Sequence, residues 1–114
     1  MSDVNHLEIQ GRLTRDAELK YTNDGTALTS FSIATEFSWK KGAEWEKKVS
    51  YFDVTAWGNL AAIAGQLIKG TPVLVIGRLE QQRWEKDGKT NSKVVIVAEK
   101  IFELKFPKKQ GEEV

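Results

Sequence analysis

Between Val49 and Leu79 the sequence runs VSYFDVTAWGNLAAIAGQLIKGTPVLVIGRL, a strand, a short helix and a second strand, and this order leaves few architectures open. In the first strand Phe52, Val54 and Ala56 share an apolar face, while Tyr51, Asp53, Thr55 and Trp57 share the other. Side chains alternate across a strand, so a face that shows Asp53 and Thr55 to water shows Tyr51 and Trp57 to it as well. In the second strand Val73, Val75, Gly77 and Leu79 form the inward face. The opposite phase starts with Leu74 and Ile76, turns polar at Arg78, Glu80 and Gln82, and reaches Trp84 next. Between the strands, Asn59 is placed as a helix N-cap. Leu60, Ile63, Ala64, Leu67 and Ile68 then form one apolar stripe of a helix about three turns long. Gly70 suits the C-terminal cap, and Pro72 bars continuation.

The flanking segments extend the all-β pattern. Leu7, Ile9, Gly11 and Leu13 alternate with His6, Glu8, Gln10 and Arg12, a half-buried strand. Gly11 within it predicts a bulge or sharp bend, as a strand needs when it curls around a small barrel. Residues 16–21 predict the start of a second strand or a short edge piece, and Asn23-Asp24-Gly25 predicts a turn. From Ala27 a long strand carries Thr29, Phe31, Ile33 and Thr35 in one phase and continues toward Trp39. Trp39 keeps the parity of Phe31, so plain alternation buries it. Only a bulge near Glu36 or Phe37 would turn it outward. Lys40 to Lys48 (KKGAEWEKK) is charged, holds Gly42 and lacks a clean period; it reads as an exposed connection with Trp45 at its middle. Lys86-Asp87-Gly88-Lys89 predicts a hairpin turn, and Lys93 to Leu104 a fifth strand.

Five strands with one short helix between the third and fourth match the order of the OB-fold, a five-stranded Greek-key barrel. A chain of 114 residues is about one domain long. Residues 1–106 are expected to form it, with residues 107–114 a short flexible tail.

Composition narrows the chemistry. Seventeen basic and sixteen acidic side chains leave a net charge of +1, so attraction to a charged partner must come from local clustering. There is no cysteine, His6 is the sole histidine, and no carboxylate pair stands in a metal-binding pattern. No Walker or Rossmann loop is present, and no serine has an identifiable base. The expectation is a protein that is not an enzyme and uses no cofactor or metal. The N-terminus has neither a basic start nor an apolar run, and no segment approaches the ~20 apolar residues of a membrane span. A soluble, cytoplasmic protein without a membrane partner is expected.

Rings on wet faces call for a ligand. Proteins that hold unpaired nucleic-acid strands combine aromatic platforms with a basic groove, and stacking tolerates any base because every base has a flat face. Alternation selects Tyr51, Trp57 and Trp84, with Trp39 joining less directly. Lys40, Lys41, Lys47 and Lys48 precede the third strand, and Arg78, Arg83, Lys86, Lys89 and Lys93 surround Trp84. Phosphate contacts from such residues are independent of base sequence. Glu44, Glu46, Glu80, Glu85 and Asp87 dilute both clusters. The bland alternative is that the rings cover a hydrophobic rim or a subunit interface. Three rings on polar phases of two strands favour base stacking. An RNA-binding module or a primosome-type assembly domain would use the same rings for RNA or protein.

The sequence resembles the bacterial single-stranded-DNA-binding proteins. The likeness is carried by Val4-Asn5 leading to Gly11-Arg12-Leu13, the turn from Tyr21 to Gly25, and Ala34-Thr35 through Trp39. It continues in Tyr51-Phe52-Asp53-Val54, Trp57-Gly58-Asn59-Leu60-Ala61, Leu67-Ile68-Lys69-Gly70, Val73 to Leu79, and Trp84. It spans residues 4 to 104. The resemblance implies an OB-fold that binds single-stranded DNA in replication, recombination and repair, as a homo-oligomer, a tetramer ahead of a dimer. That places it in the cytoplasm with the nucleoid. It puts Trp39, Tyr51, Trp57 and Trp84 where family members hold base-stacking aromatics. From the charge clusters, Lys40, Lys41, Lys48, Arg78, Arg83, Lys86 and Lys89 are expected beside them for phosphates. Trp45 matches no family motif. The first strand offers an edge for pairing between subunits. Family members continue into a Gly/Pro/Gln-rich tail with an acidic, hydrophobic tip that recruits replication and repair proteins. This sequence closes on Glu112-Glu113-Val114, so either the protein lacks that tail or the sequence is a shortened form, and recruitment is not implied.

Overall fold

Two long antiparallel hairpins supply most of the wall of the barrel. In the computed structural model, which describes residues 2–105, the order is β1 (Leu7–Leu13), β2 (Glu18–Tyr21), β3 (Ala27–Lys41), β4 (Glu44–Trp57), α1 (Asn59–Ala64), β5 (Pro72–Lys86) and β6 (Lys89–Glu103). The expected flexible tail, 107–114, lies outside the described residues. Hydrogen-bonded neighbours run β1-β5-β6-β4-β3, and β1 meets β3 again at Arg12↔Ala34 and Leu13↔Ile33, which closes a five-stranded barrel. The fold is the OB-fold expected. β2 pairs only with β3, as the short edge piece that residues 16–21 allowed.

The core follows from the period-two patterns. Phe31, Ile33, Val54, Val73, Val75 and Ile96 are almost fully enclosed, and Leu60 and Leu67 pack against them from the helical segment. Closure depends on Gly11. A Cβ there would lie 2.7 Å from the Ala34 carbonyl oxygen, so only glycine lets β1 pass so near β3. No register shift occurs in β1, so the sequence feature marks a close approach and not a bulge. A bulge does occur between β5 and β6, where Ile76 pairs with Lys100 but Gly77 pairs with Ala98, leaving Glu99 as the extra residue.

Two local expectations need correction. Lys40 to Lys48 is not a loose connection. β3 and β4 stay in register from Leu28↔Trp57 to Lys41↔Glu44, and only Gly42 and Ala43 turn the chain. Gly42 has φ 64, the positive value that the first position of a two-residue II′ hairpin turn requires. The Asp87-Gly88 turn is of the expected kind, with φ positive at both residues (54 and 76). Strand β6 accordingly begins at Lys89, four residues before the expected start.

The helix is six residues long, not three turns. Asn59 is its first residue and makes no cap bond; Gly58, at φ 65, precedes it. At the other end Gly65, not Gly70, is the C-cap. Beyond it the chain tightens into i→i−3 bonds, Gln66 N to Ile63 O and Leu67 N to Ala64 O. The Leu67 carbonyl then accepts from Ala17 N, and Lys69 N donates to Asp16 Oδ1 at 2.8 Å. These bonds to the β1–β2 connection hold residues 67–69 off the helical path; Ile68 is exposed, and so is Ile63 within α1.

Outside the barrel, Asp53 ties three strands together. Its carboxylate accepts from the Ser32 hydroxyl at 2.6 Å on β3 and from Lys93 Nζ at 3.3 Å on β6. The Ser32 bond, and then the hydrogen bond and charge of Lys93 and the charge of Arg15, hold the carboxyl below its ordinary value against the opposing effect of partial burial.

Two outcomes follow from this architecture. Gly77→Ala places a Cβ 2.1 Å from the Val97 carbonyl oxygen. It should lower stability by about 1–3 kcal/mol or more, the scale of an overpacked core, seen as a lower urea midpoint. An unchanged midpoint would mean that the bulge opens without cost. For Asp53, a lowered folded-state value means that its contribution is complete above the ordinary aspartate value of ~3.9 and is lost as pH falls through the lowered one. Asp53→Asn should therefore cost under about 1 kcal/mol at neutral pH, since the pair is half-exposed, and the gap to wild type should shrink on acidification. Urea midpoints that fall in parallel would remove this role.

Candidate nucleic-acid interface

Continuous register makes the facing of every side chain in the β3–β4 hairpin a matter of parity. Phe31 and Val54 are buried and opposite one another, so odd residues of β3 and even residues of β4 belong to the inner phase. Tyr51, Asp53, Thr55 and Trp57 therefore stand on the outer phase, as alternation predicts, though Thr55 is buried there and not open to water as expected. The parallel pair Thr55↔Val97 carries the same face onto β6, and Arg78↔Val97, Gln82↔Lys93 and Trp84↔Asn91 carry it onto β5. Tyr51, Trp57 and Trp84 thus share one surface spanning β4, β6 and β5, at 69%, 45% and 44% exposure. None of the three fills the barrel. Between them Thr55, Val95 and Val97 form a small, enclosed floor.

The basic residues divide by the same rule. Arg78, Lys86 and Lys89 lie on the outer phase with Trp84, and Lys40 lies on the outer phase with Tyr51. Lys47 and Lys93 share that surface; the sequence had placed both in its basic clusters. Lys41, Lys48 and Arg83 take the inner phase. Arg83 bonds Gln81 Oε1 through Nε at 3.3 Å, the next side chain on that side, so its adjacency to Trp84 in sequence is not adjacency in space.

Parity also sorts the acids. Glu44, Glu46 and Glu85 turn to the inner phase, away from the outer rings. Of the outer acids, Asp53 is paired with Lys93 and Glu80 with Arg78 at 3.6 Å; Glu36 accepts from Ser38 Oγ. The dilution seen in the linear sequence is therefore largely undone on the outer surface, which carries net positive charge.

Trp39 has a third fate, neither buried nor turned by a bulge. The strand keeps its register through Glu36 and Phe37, so Trp39 stays on the inner phase. β3 outruns the barrel, however, and no described element packs over the inner phase of its end: Trp39 is 36% exposed and its ring is stacked on that of Phe37 with centroids 6.0 Å apart. The structure thus groups Tyr51, Trp57, Trp84, Arg78, Lys86, Lys89 and Lys40 on one face. It sets Trp39, Lys41, Lys48 and Arg83 on the reverse sides of the two hairpins. Sequence reasoning left Trp45 unassigned; it lies opposite Lys40 on the outer phase. Its parity with Tyr51 and Trp57 was the available signal, hidden by reading the segment as a loop.

Among the described residues no group of three or more His, Cys, Asp or Glu side chains is placed to hold a metal ion, and no helix is long and apolar enough to cross a membrane.

Known proteins agree with this architecture. A single-stranded DNA-binding protein of Treponema pallidum is 49% identical over 102 residues, covering 89% of this chain and 58% of that protein. This chain thus spans a little over half of that relative's length. One from Aquifex aeolicus is 40% identical over 107 residues, 92% of this chain and 73% of its own. A deletion mutant of the Thermus aquaticus single-stranded DNA binding protein has a TM-score of 0.79 at 32% identity, over 90% of this chain and 51% of that one. A Plasmodium falciparum SSB in complex with ssDNA shares the fold at a TM-score of 0.81 and 21% identity, over 92% of this chain and 98% of that one. The model of the single-strand binding protein family matches residues 4–104. The chain is therefore a member of the single-strand binding protein family, a family of binding proteins and not of enzymes.

Proposed function

We propose that the chain binds single-stranded DNA with little sequence preference, protecting it in replication, recombination and repair. The observation that carries this is the shared outer surface: Tyr51, Trp57 and Trp84 exposed on one face of adjoining strands. Bases stack on these rings, while Arg78, Lys86, Lys89 and Lys40 take phosphates. A duplex hides the flat faces of its bases, so the same surface discriminates against paired DNA. Trp39, Lys41, Lys48 and Arg83 serve a strand that passes around the hairpin edges onto their reverse sides. The family, and relatives named for single-stranded DNA, support DNA over RNA.

We also infer a homo-oligomer, a tetramer in keeping with the family. From Leu7 to Gly11, β1 pairs with β5 on one side, and its pairing with β3 begins only at Arg12, so part of one edge is open to a second copy. With no membrane-spanning helix among the described residues, a place in the cytoplasm with the nucleoid fits this role.

A dT oligomer should quench tryptophan fluorescence strongly at low salt, and a duplex of equal length should not. Trp57→Ala, Trp84→Ala or Tyr51→Ala should each weaken dT binding by about 1–3 kcal/mol while leaving the urea midpoint nearly unchanged. Lys86→Ala and Lys89→Ala should each lower the slope of log affinity against log salt by about 0.7 if the residue meets one phosphate. Absence of binding to dT at low salt would defeat the proposal, and tighter binding to oligo-U than to oligo-dT would turn it toward RNA. Sedimentation with and without dT reports the subunit count.

A further inference from the structure

We propose that Trp45 is an additional base-stacking residue, which carries the bound strand beyond Tyr51 to the tip of the β3–β4 hairpin. Parity is the first ground: Trp45, Tyr51 and Trp57 are all odd residues of one strand whose register with β3 is unbroken, so the three rings stand on one side. They recur every six residues, which places successive rings about 20 Å apart along an extended strand. Val49, itself exposed, continues the surface between Trp45 and Tyr51.

Exposure is the second ground. Trp45 is 71% exposed, more than Trp39, Trp57 or Trp84 at 36%, 45% and 44%. Among the described residues the one ring–ring contact is Phe37 with Trp39, on the reverse side, so no described ring stacks on Trp45. The hairpin that presents it is held by cross-strand pairs up to Lys41↔Glu44 and a two-residue turn. The ring therefore sits on an extended strand, not in a loose loop.

Charge is the third. Lys40 lies directly across from Trp45 on the same side and Lys47 lies two residues along, while Glu44 and Glu46 face the other way. A flat ring with two lysines as neighbours on its own side suits a nucleotide, whose base stacks and whose phosphate takes the positive charge. A purely apolar partner would leave both lysines to be desolvated without compensation.

The proposal rests on the outer surface being where single-stranded DNA lies, and the test separates the two. Full-length wild type, Trp45→Ala and Trp45→Phe are titrated with labelled dT of roughly four and roughly sixteen nucleotides, the limits of site size for one OB-fold. Trp45→Ala should lose about fivefold or more in affinity for the long oligomer and almost none for the short one. Trp45→Phe should hold long-oligomer affinity within about twofold of wild type and yet show less total fluorescence quenching, because one contacting indole is gone. Wild-type binding that Trp45→Ala leaves unchanged at both lengths would overturn the role of Trp45 while the outer surface stands. Absence of wild-type binding would overturn the outer surface itself and Trp45 with it. A change in oligomer mass on Trp45→Ala would assign the ring to a subunit contact and overturn the proposal.

Discussion

Strand register is the constraint on which the rest of this structure depends. Fourteen cross-strand pairs join β3 to β4 without a break, so the facing of a side chain at the tip is decided by residues in the core. Ile33 and Val54 are fully enclosed, and burying them pins the phase of everything bonded beyond them. A slip of one residue would exchange the two faces entirely, bringing Tyr51 and Trp57 inward and exposing Val54. Hydrophobic burial at the centre is thereby converted into precise presentation of aromatic rings at the surface.

The same constraint organises charge. In sequence, lysines and glutamates of the two hairpins are interleaved and nearly cancel; in space, alternation places Glu44, Glu46 and Glu85 on the side away from the outer rings. Two acids that remain outside, Asp53 and Glu80, are held by Lys93 and Arg78. A chain with a net charge of +1 can thus offer a locally positive aromatic surface, and its counts of charged residues give no hint of it.

How much of this was legible depended on whether a segment has one buried face. For Tyr51 and Trp57 it does: Val54 and Ala56 reveal the inner phase, and the outer rings follow. The barrel and its closure were readable for the same reason, through Phe31, Ile33, Val73 and Val75. Past Thr35 both sides of the hairpin meet water, so hydropathy no longer alternates and the tip reads as a loop. The signal that survives there is stereochemical, Gly42 ahead of Ala43 between strands of matched length. Trp39 exposes a related limit. Alternation assigned its phase correctly, but exposure also depends on how far a strand outruns the barrel, which no local pattern encodes. The helix is shorter than its apolar stripe for a tertiary reason as well: the stripe extends to Ile68, yet past Ala64 the chain takes i→i−3 bonds and then partners in the β1–β2 connection, Ala17 and Asp16. Nothing in a stripe announces a competing partner from another part of the chain.

The most direct measurement is nuclear magnetic resonance of the isotope-labelled protein titrated with a dT oligomer. Each tryptophan contributes a separate indole N–H signal, and a stacked base shifts it through its ring current. Large shifts are predicted for the indoles of Trp57 and Trp84 and for the amides of Tyr51 to Trp57, with α1 and β2 unmoved. Shifts gathered on α1 and β2, with both indoles unchanged, would contradict the assignment of this outer surface to the DNA.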